Sequence, residues 1–180
     1  VLLQEIKCVN EVFPAMEVED LGYNIALHGQ KTYNGVAILS KFPLSDVARG
    51  LAGDDSDVAS RYIEAVASVP GGAIRVASVY VPNGQTPDSE KFPYKLAFLE
   101  RLRAHMAVLA SYGEAVVVGG DYNIAPEDVD VHNPAMWAGS TLTHDEVRKR
   151  FRALRHLGFQ DAFRLVHAAD GGYSWWDYRA

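Results

Sequence analysis

The sequence predicts an α/β protein in which mixed β-sheets are covered by helices. Three observations lead to this prediction. Residues 62–69 and 73–81 are rich in apolar and β-branched residues and flank a Pro-Gly-Gly turn, which indicates a β-hairpin. Leucine and methionine recur every three or four positions across residues 93–112, which indicates a long helix. The apolar run at 115–118 follows that helix directly, as expected of a helical crossover between two strands.

The N-terminal part of the sequence adds a strand end, a short helix and a second hairpin. Residues 1–3 have the pattern of the end of a strand. Asn10 is suited to cap a short helix, because its side chain can accept a hydrogen bond from the first turn. Residues 23–27 and 33–39 have the composition of two strands, and the polar residues between them indicate a tight turn.

The C-terminal part of the sequence adds a strand and a second helix. Residues 115–118 are few and uniformly apolar, which predicts a central, buried strand. A helix is expected to open at Thr143, because Glu146 follows at the spacing of a capping box. Basic residues crowd this helix over 148–155, and we expect them to form a solvated face rather than a ridge that contacts DNA.

Composition and charge narrow the classes of function. A chain of 180 residues with 48% hydrophobic and 22% charged residues is typical of a globular domain with a substantial core. No apolar run reaches the roughly 20 residues of a membrane span, and no signal peptide opens the sequence. Cys8 is the only cysteine, so we expect a reducing, cytoplasmic location. The net charge of −6 argues mildly against a nucleic-acid partner, although a bound metal ion would invert the local field of its carboxylates.

Short polar strings follow three of the predicted strands, at the positions where α/β scaffolds usually place their chemistry. The first string contains Glu5, whose carboxylate is a ligand type that Mg²⁺ prefers. Many glutamates at strand ends simply face water, so Glu5 alone leaves both interpretations open. Tyr80 ends the second strand, where its hydroxyl could serve a functional site. The ring could also be a plain core aromatic with its hydroxyl at the rim.

The third string places a carboxylate and an amide two residues apart. Asp121 and Asn123 are expected on one face of the strand that continues residues 115–118, with Tyr122 pointing away. Asp121 could orient or deprotonate a water molecule, and Asn123 could donate to a phosphate oxygen. An Asx turn after the strand explains the same residues without any catalytic role.

Together the three strings resemble the metal-dependent endonuclease/exonuclease/phosphatase superfamily, and most closely its exonuclease III-type abasic-site (AP) endonucleases. Residues 3–7 (LQEIK) are similar to the family element LQE-x-K, residues 80–84 (YVPNG) to Y-x-P-N-G, and residues 118–126 (VGGDYNIAP) to GD-x-N-x-x-P. The likeness covers essentially the whole sequence. It implies a four-layer α/β sandwich of two packed mixed β-sheets flanked by helices, in a single domain over residues 1–180.

The resemblance implies roles at the phosphate for four residues. Glu5 would be the metal ligand, and Tyr80 would hydrogen-bond the scissile phosphate. Asp121 would act as the general base or water-positioning acid, and Asn123 would contact the phosphate. The implied metal is Mg²⁺, with Mn²⁺ as the alternative.

Three further residues are expected to contact DNA. Lys7 belongs to the first string, and Asn83 lies in the loop after the second strand. Trp175 lies in residues 174–179 (SWWDYR), which resemble the aromatic wall that accepts a flipped-out abasic sugar in bacterial members of the family. The implied partner is double-stranded DNA with abasic or 3′-blocked ends, and we expect a monomer with no membrane partner.

The resemblance therefore predicts a DNA-repair phosphodiesterase that cleaves 5′ to abasic sites in a Mg²⁺-dependent reaction, with 3′→5′ exonuclease activity as a further expectation. Two alternatives stay open. One is a phosphoesterase of the same fold that acts on a non-DNA phosphodiester. The other is a truncated, non-catalytic fragment that binds metal or DNA.

The likeness is incomplete at both ends of the sequence. The family opens with a strand that carries a metal-supporting Asn, and it ends with Arg-x-Asp and Ser-Asp-His elements, none of which this sequence contains. We therefore expect the domain to lack its first strand and its C-terminal strands. We also expect the chain alone to be inactive, because loss of a charged hydrogen bond to the reacting phosphate costs about 10²–10³-fold in rate.

Overall fold

The computed structural model describes residues 1–167 and 172–174 of the chain. The strands are β1 (Leu2–Gln4), β2 (Asn24–His28), β3 (Val36–Ser40), β4 (Leu44–Arg49), β5 (Tyr62–Val69), β6 (Gly72–Tyr80) and β7 (Ala115–Asp121). The α-helices are α1 (Ala15–Asp20), α2 (Lys91–Ser111), α3 (Pro134–Trp137), α4 (Asp145–Arg155) and α5 (Ala162–Val166). None of these helices combines the length and the hydrophobicity that a membrane span requires.

The chain divides into two compact units. The first comprises Val1–Val81 and Ala107–Tyr122, and it holds all seven strands of the described residues. The second comprises Pro82–Met106 and Asn123–Ala180, and it holds α3, α4 and α5. The interpretation of the whole chain as a single domain stays a prediction.

Two β-sheets form the first unit, which confirms the predicted α/β fold with two sheets. The three-stranded sheet has the order β1-β3-β2, and its strand pairs are antiparallel. The four-stranded sheet has the order β4-β5-β6-β7 and is mixed, because β6 and β7 run parallel. Helix α2 connects β6 to β7 along the chain, as a parallel pair requires.

The two sheets pack face to face around a shared apolar core. Val36 and Ile38 of β3 and Ile63 and Ala65 of β5 belong to this core, and the ring of Tyr80 closes it at the end of β6. Burial of such aliphatic side chains contributes about 25 cal/mol per Å² of apolar surface. The core therefore fixes the end of β6, from which the Tyr80 hydroxyl extends.

Strand β7 differs from its prediction. It extends to Asp121, three residues beyond the predicted run, and among the described strands it pairs with β6 alone. Val117 is 52% exposed. The prediction of a central, buried strand is therefore wrong, because an apolar run gives no information on how many neighbours a strand has.

Two predicted helix caps also differ. His144 caps α4, since its Nδ1 accepts a hydrogen bond from the Glu146 amide at 3.2 Å. Thr143 instead donates its hydroxyl hydrogen to the carbonyl of Trp137. The Asn10 side chain accepts a hydrogen bond from the Gly29 amide at 2.7 Å and makes no cap. The side chains of Asn10 and Thr143 therefore bond to neighbouring segments and not to the first turn of a helix.

Candidate active site

Glu5 and Tyr80 meet in the first unit at the ends of β1 and β6. The Tyr80 hydroxyl donates to Glu5 Oε1 at 2.6 Å. Two residues earlier on both strands, the buried Ser78 hydroxyl donates to the Leu3 carbonyl at 3.1 Å and accepts from Gln4 Nε2 at 3.0 Å. These hydrogen bonds link β1 of one sheet to β6 of the other close to Glu5 and Tyr80, and so help to hold the phenol and the carboxylate at hydrogen-bonding distance.

Lys7 completes the surroundings of the Glu5 carboxylate. Its Nζ lies 3.0 Å from Glu5 Oε2, so the two carboxylate oxygens have different partners. Glu5 and Lys7 have φ angles of 52° and 57°, in the left-handed region that residues other than glycine rarely adopt. Hydrogen bonds from the Ile6 and Lys7 amides to the carbonyls of Gly35 and Asn34 hold this backbone. Such conformations often mark functional sites.

The electrostatic environment keeps Glu5 charged and Tyr80 neutral. Partial burial raises the pKa of Glu5, but the hydrogen bonds from Tyr80 and Lys7 and the charges of Lys7 and Arg61 outweigh it, so the pKa lies below its ordinary value of 4.5. Burial and the hydrogen bond to Glu5 raise the pKa of Tyr80 above its ordinary value. At neutral pH the pair is therefore a carboxylate and a phenol that donates.

Arg61 is a member of this cluster that sequence reasoning missed. Its guanidinium carbon lies 4.6 Å from the centre of the Tyr80 ring, and its Nη1 donates to the Tyr80 carbonyl at 3.4 Å. Its Nε is buried and has no hydrogen-bond partner among the described residues. The sequence did contain a signal for Arg61. Counting residue pairs outward from the Pro-Gly-Gly turn of the β5–β6 hairpin places residue 61 opposite Tyr80.

Asp121 ends β7 beside the same strand end. It lies opposite Tyr80 in the parallel register, and its carbonyl accepts from the Val81 amide at 2.8 Å. Gly120 allows this close approach, since a Cβ there would lie 2.0 Å from the Val79 carbonyl oxygen. The charge of Asp121 contributes to raising the pKa of Tyr80, which places the carboxylate within electrostatic range of the phenol.

Asn83 and Asn123 meet in the second unit. Asn83 Nδ2 donates to Asn123 Oδ1 at 3.3 Å, and Asn83 Oδ1 accepts from the Gln85 amide at 3.1 Å. Strand β7 ends at Asp121, and Asn123 has a φ of 49°. The alternation that predicted Asp121 and Asn123 on one strand face therefore does not continue to Asn123. Asn123 is 6% exposed, and its side chain is positioned by the hydrogen bond from Asn83 and not by strand pairing.

Lys95 supports this asparagine pair and is a second residue that sequence reasoning missed. Its side chain is fully buried, and its Nζ donates to the carbonyls of Asn123, Thr141 and Asn83 at 2.6, 2.9 and 3.2 Å. A signal was present in the sequence, because Lys95 interrupts the apolar stripe of α2 between Phe92 and Leu99.

The predicted site residues thus fall into separate groups. Glu5, Lys7, Tyr80 and Asp121 lie in the first unit, and Asn83 and Asn123 lie in the second. Trp175 lies outside the described residues. Their individual roles stay predictions.

The described residues contain no group of three or more His, Cys, Asp or Glu side chains that could hold a metal ion. Glu5 nevertheless fits a hydrated divalent ion, because Mg²⁺ is usually held by one or two carboxylates while waters and substrate phosphates supply the other ligands. Its ionised side chain is 39% exposed and therefore open to such an ion. The donor set suits an ion shared with a substrate and does not suit a closed structural site.

The chain is similar in sequence to known nucleases. The model of the Endonuclease/Exonuclease/phosphatase family matches residues 1–180. Exodeoxyribonuclease III of Haemophilus influenzae is 34% identical over 186 aligned residues, which cover 99% of this chain and 70% of that protein.

Solved structures share the fold. An AP endonuclease from Archaeoglobus fulgidus matches with a TM-score of 0.91 and 36% identity, over 99% of this chain and 68% of that chain. A 3′ phosphatase from Neisseria bound to a product DNA hairpin matches with a TM-score of 0.89 and 37% identity, over the same shares of 99% and 68%. The predicted family resemblance is confirmed: the chain belongs to the Endonuclease/Exonuclease/phosphatase family.

Proposed function

We propose that the protein hydrolyses phosphodiester bonds of damaged DNA with the help of a divalent metal ion, and that it cleaves 5′ to abasic sites. The observation that supports this most strongly is the ionised Glu5 carboxylate, bonded to Tyr80 and Lys7 where β1 and β6 end. The family generally depends on divalent metals. The similar proteins are named as an exodeoxyribonuclease, an AP endonuclease and a 3′ phosphatase seen with DNA.

Residues of the first unit would hold the metal and orient the reacting phosphate. Glu5 would bind the metal, which when bound would polarise a phosphate oxygen and offset the charge on the leaving oxygen. Tyr80, as a neutral phenol, would donate a hydrogen bond to a phosphate oxygen. The cations of Lys7 and Arg61 would offset phosphate charge, and Asp121 would position or deprotonate the attacking water.

Residues of the second unit would contact the DNA backbone through amide groups. We propose that Asn123 and Asn83 donate hydrogen bonds to phosphate oxygens, in keeping with the family resemblance of residues 80–84 and 118–126. Mg²⁺ is the proposed metal, and Mn²⁺ is the alternative. The proposed substrate is double-stranded DNA with abasic or 3′-blocked ends, and the proposed acting form is a monomer.

A panel of substrates tests this function. The full-length protein that carries this sequence is incubated with a duplex containing one abasic analogue, with the same duplex containing an intact base, and with a duplex ending in a 3′-phosphate. Each reaction is run with Mg²⁺, with Mn²⁺ and with EDTA. We expect metal-dependent nicking 5′ to the abasic analogue, little cleavage at the intact base, and no product in EDTA.

A non-DNA phosphodiester serves as the comparison in the same experiment. Metal-dependent hydrolysis of that compound without cleavage of any duplex would favour a phosphoesterase with another substrate. Cleavage that persists in EDTA would exclude the metal-dependent mechanism.

A further inference from the structure

We propose that Lys95 is a positioning residue that holds the Asn83–Asn123 pair in the arrangement in which it contacts a DNA phosphate. This inference rests on the proposed function, since it concerns the same backbone contact. Lys95 would add a buried cation to the proposed site. It occupies a helix position where the apolar stripe predicts an aliphatic side chain.

The hydrogen bonds of Lys95 use its full donor capacity. An ammonium group has three N–H donors, and three carbonyls accept from it, those of Asn123, Thr141 and Asn83. These carbonyls come from three separate loops of the second unit. The ammonium therefore ties together chain segments that are distant in sequence, with the shortest bond, 2.6 Å, to Asn123.

The backbone of Asn123 needs such support. Its φ of 49° lies in the left-handed region, which is unfavourable for a residue with a side chain. A charge-assisted hydrogen bond is stronger than a neutral one, so the bond from Lys95 Nζ offsets this local strain. Asn123 Oδ1 also accepts a hydrogen bond from Asn83 Nδ2, so the orientation of the Asn123 amide depends on the position of Asn83.

The packing around Lys95 also leaves space for the aliphatic carbons of its side chain. Gly84 lies beside it, and a Cβ on Gly84 would lie 3.0 Å from Lys95 Cδ. Burial of a charge is costly, so a purely structural position would be filled more favourably by an apolar side chain of similar length. We explain the charged side chain at this position by its hydrogen bonds to the backbone carbonyls of Asn83 and Asn123.

Cleavage by full-length protein carrying Lys95→Met, alone and combined with Asn123→Ala, tests this role. Misplacement of a substrate contact by about 1 Å can cost about 10²-fold in rate, so we expect Lys95→Met to lower the single-turnover rate by about 10–100-fold. In the Asn123→Ala background the same substitution is expected to lower the rate by less than about threefold, because the contact that it positions is already gone. The Mg²⁺ concentration for half-maximal rate should not change, since Glu5 is not altered.

Matched variants separate positioning from loss of stability. Leu102→Ala removes a fully buried side chain from the same helix and should lower the unfolding temperature while leaving the rate at 25 °C within about twofold. Lys95→Gln keeps a donor of similar length and replaces Lys95→Met if the methionine variant does not fold. We expect Lys95→Gln to retain more activity than the methionine variant.

Each outcome bears on a different proposal. If Lys95→Met lowers the rate by the same factor in both backgrounds, or leaves it unchanged in a folded protein, the positioning role is wrong although the proposed function stands. If the wild-type protein cleaves no duplex under any metal condition, the proposed function fails and the positioning role fails with it.

Discussion

Tyr80 and Glu5 form a pair in which each group sets the state of the other. The phenol donates to the carboxylate at 2.6 Å and helps to keep it ionised, and the carboxylate raises the pKa of the phenol. In the proposed mechanism, a ligand for a cation and a donor for a phosphate oxygen would therefore lie side by side before any substrate binds. Such preorganisation avoids the cost of reorienting dipoles during the reaction.

Tyr80→Phe isolates the contribution of this hydroxyl. The ring stays in the core, so we expect the free energy of unfolding to fall by only about 1 kcal/mol, from the lost hydrogen bond. The single-turnover rate of DNA cleavage should fall by about 10²–10³-fold, because the proposed donor to the reacting phosphate is lost. Tyr33→Phe, at a residue that is 73% exposed, is the control and should change neither quantity. An unchanged rate in Tyr80→Phe would remove Tyr80 from the proposed mechanism.

Glu5 also gives the stability of the chain a dependence on pH. Its pKa in the folded chain lies below the ordinary value of 4.5, so the ionised form stabilises the fold at higher pH. This contribution is complete above the unfolded pKa and is lost as the pH falls through the folded pKa. Urea unfolding at pH 7 and pH 3 should therefore show a larger loss of stability for the wild type than for Glu5→Gln. Equal losses would show that the hydrogen bonds to Glu5 do not favour its charged form.

The sequence predicts some of these residues better than others. Glu5, Tyr80 and Asp121 could be found because each follows an apolar run at a strand end, and strand ends carry chemistry in α/β folds. Arg61 is recognisable only through hairpin register. The left-handed backbone of Asn123 could not be predicted, because its surroundings include Lys95, a residue 28 positions away that donates to the Asn123 carbonyl.

At the level of elements, hairpins and amphipathic helices were predicted well and strand neighbours were not. The β5–β6 hairpin and α2 agree with their predictions, since turn glycines and helical spacing are local signals. Strand β4 was not predicted, because its sequence LSDVAR is polar and its pairing is interrupted by an irregularity between Ser45 and Ala48. Sheet position, as for β7, depends on contacts that no local pattern encodes.

Gly120→Ala tests the close approach of β7 to β6. The added Cβ would lie 2.0 Å from the Val79 carbonyl oxygen at a φ of 139°, so strand β7 would have to move. We expect a loss of about 3 kcal/mol or more, which lowers the unfolding temperature by roughly 6–12 °C. Gly50→Ala is the control, because its φ is 79° but its Cβ would meet nothing within 4 Å, and it should cost only about 1 kcal/mol. Equal effects of the two substitutions would contradict the observed strand spacing.

For the molecule as a whole, the acidic charge limits how the proposed DNA substrate could be bound. The net charge is −6, and several arginines are neutralised by acidic partners: Arg75 by Glu64 and Glu114, Arg148 by Asp128, Arg150 by Glu146, and Arg164 by Asp130. Binding through a broad basic face is therefore not expected. Local cations such as Lys7 and Arg61, together with the metal, would supply the attraction.

The salt dependence of DNA binding measures the number of such contacts. Fluorescence anisotropy in EDTA, over a range of NaCl concentrations, should give a slope of log K against log salt of about −2 to −3, since each phosphate contact contributes roughly −0.9. A slope steeper than about −6 would show a wide basic interface. The exposed arginines of α4, Arg152 and Arg155, would then be the first residues to replace.

Cleavage mapped at nucleotide resolution addresses the proposed enzyme function itself. The full-length protein and its Asp121→Asn variant, matched for unfolding temperature, are mixed in excess with an end-labelled duplex that contains one abasic analogue, in the presence of Mg²⁺. We expect the wild type to produce a single nick directly 5′ to the analogue and the variant to be slower by about 10²-fold or more, because the proposed mechanism assigns the positioning of the attacking water to Asp121. Equal rates for the two proteins, or cleavage scattered along the duplex, would contradict a phosphodiesterase site at the ends of β1, β6 and β7.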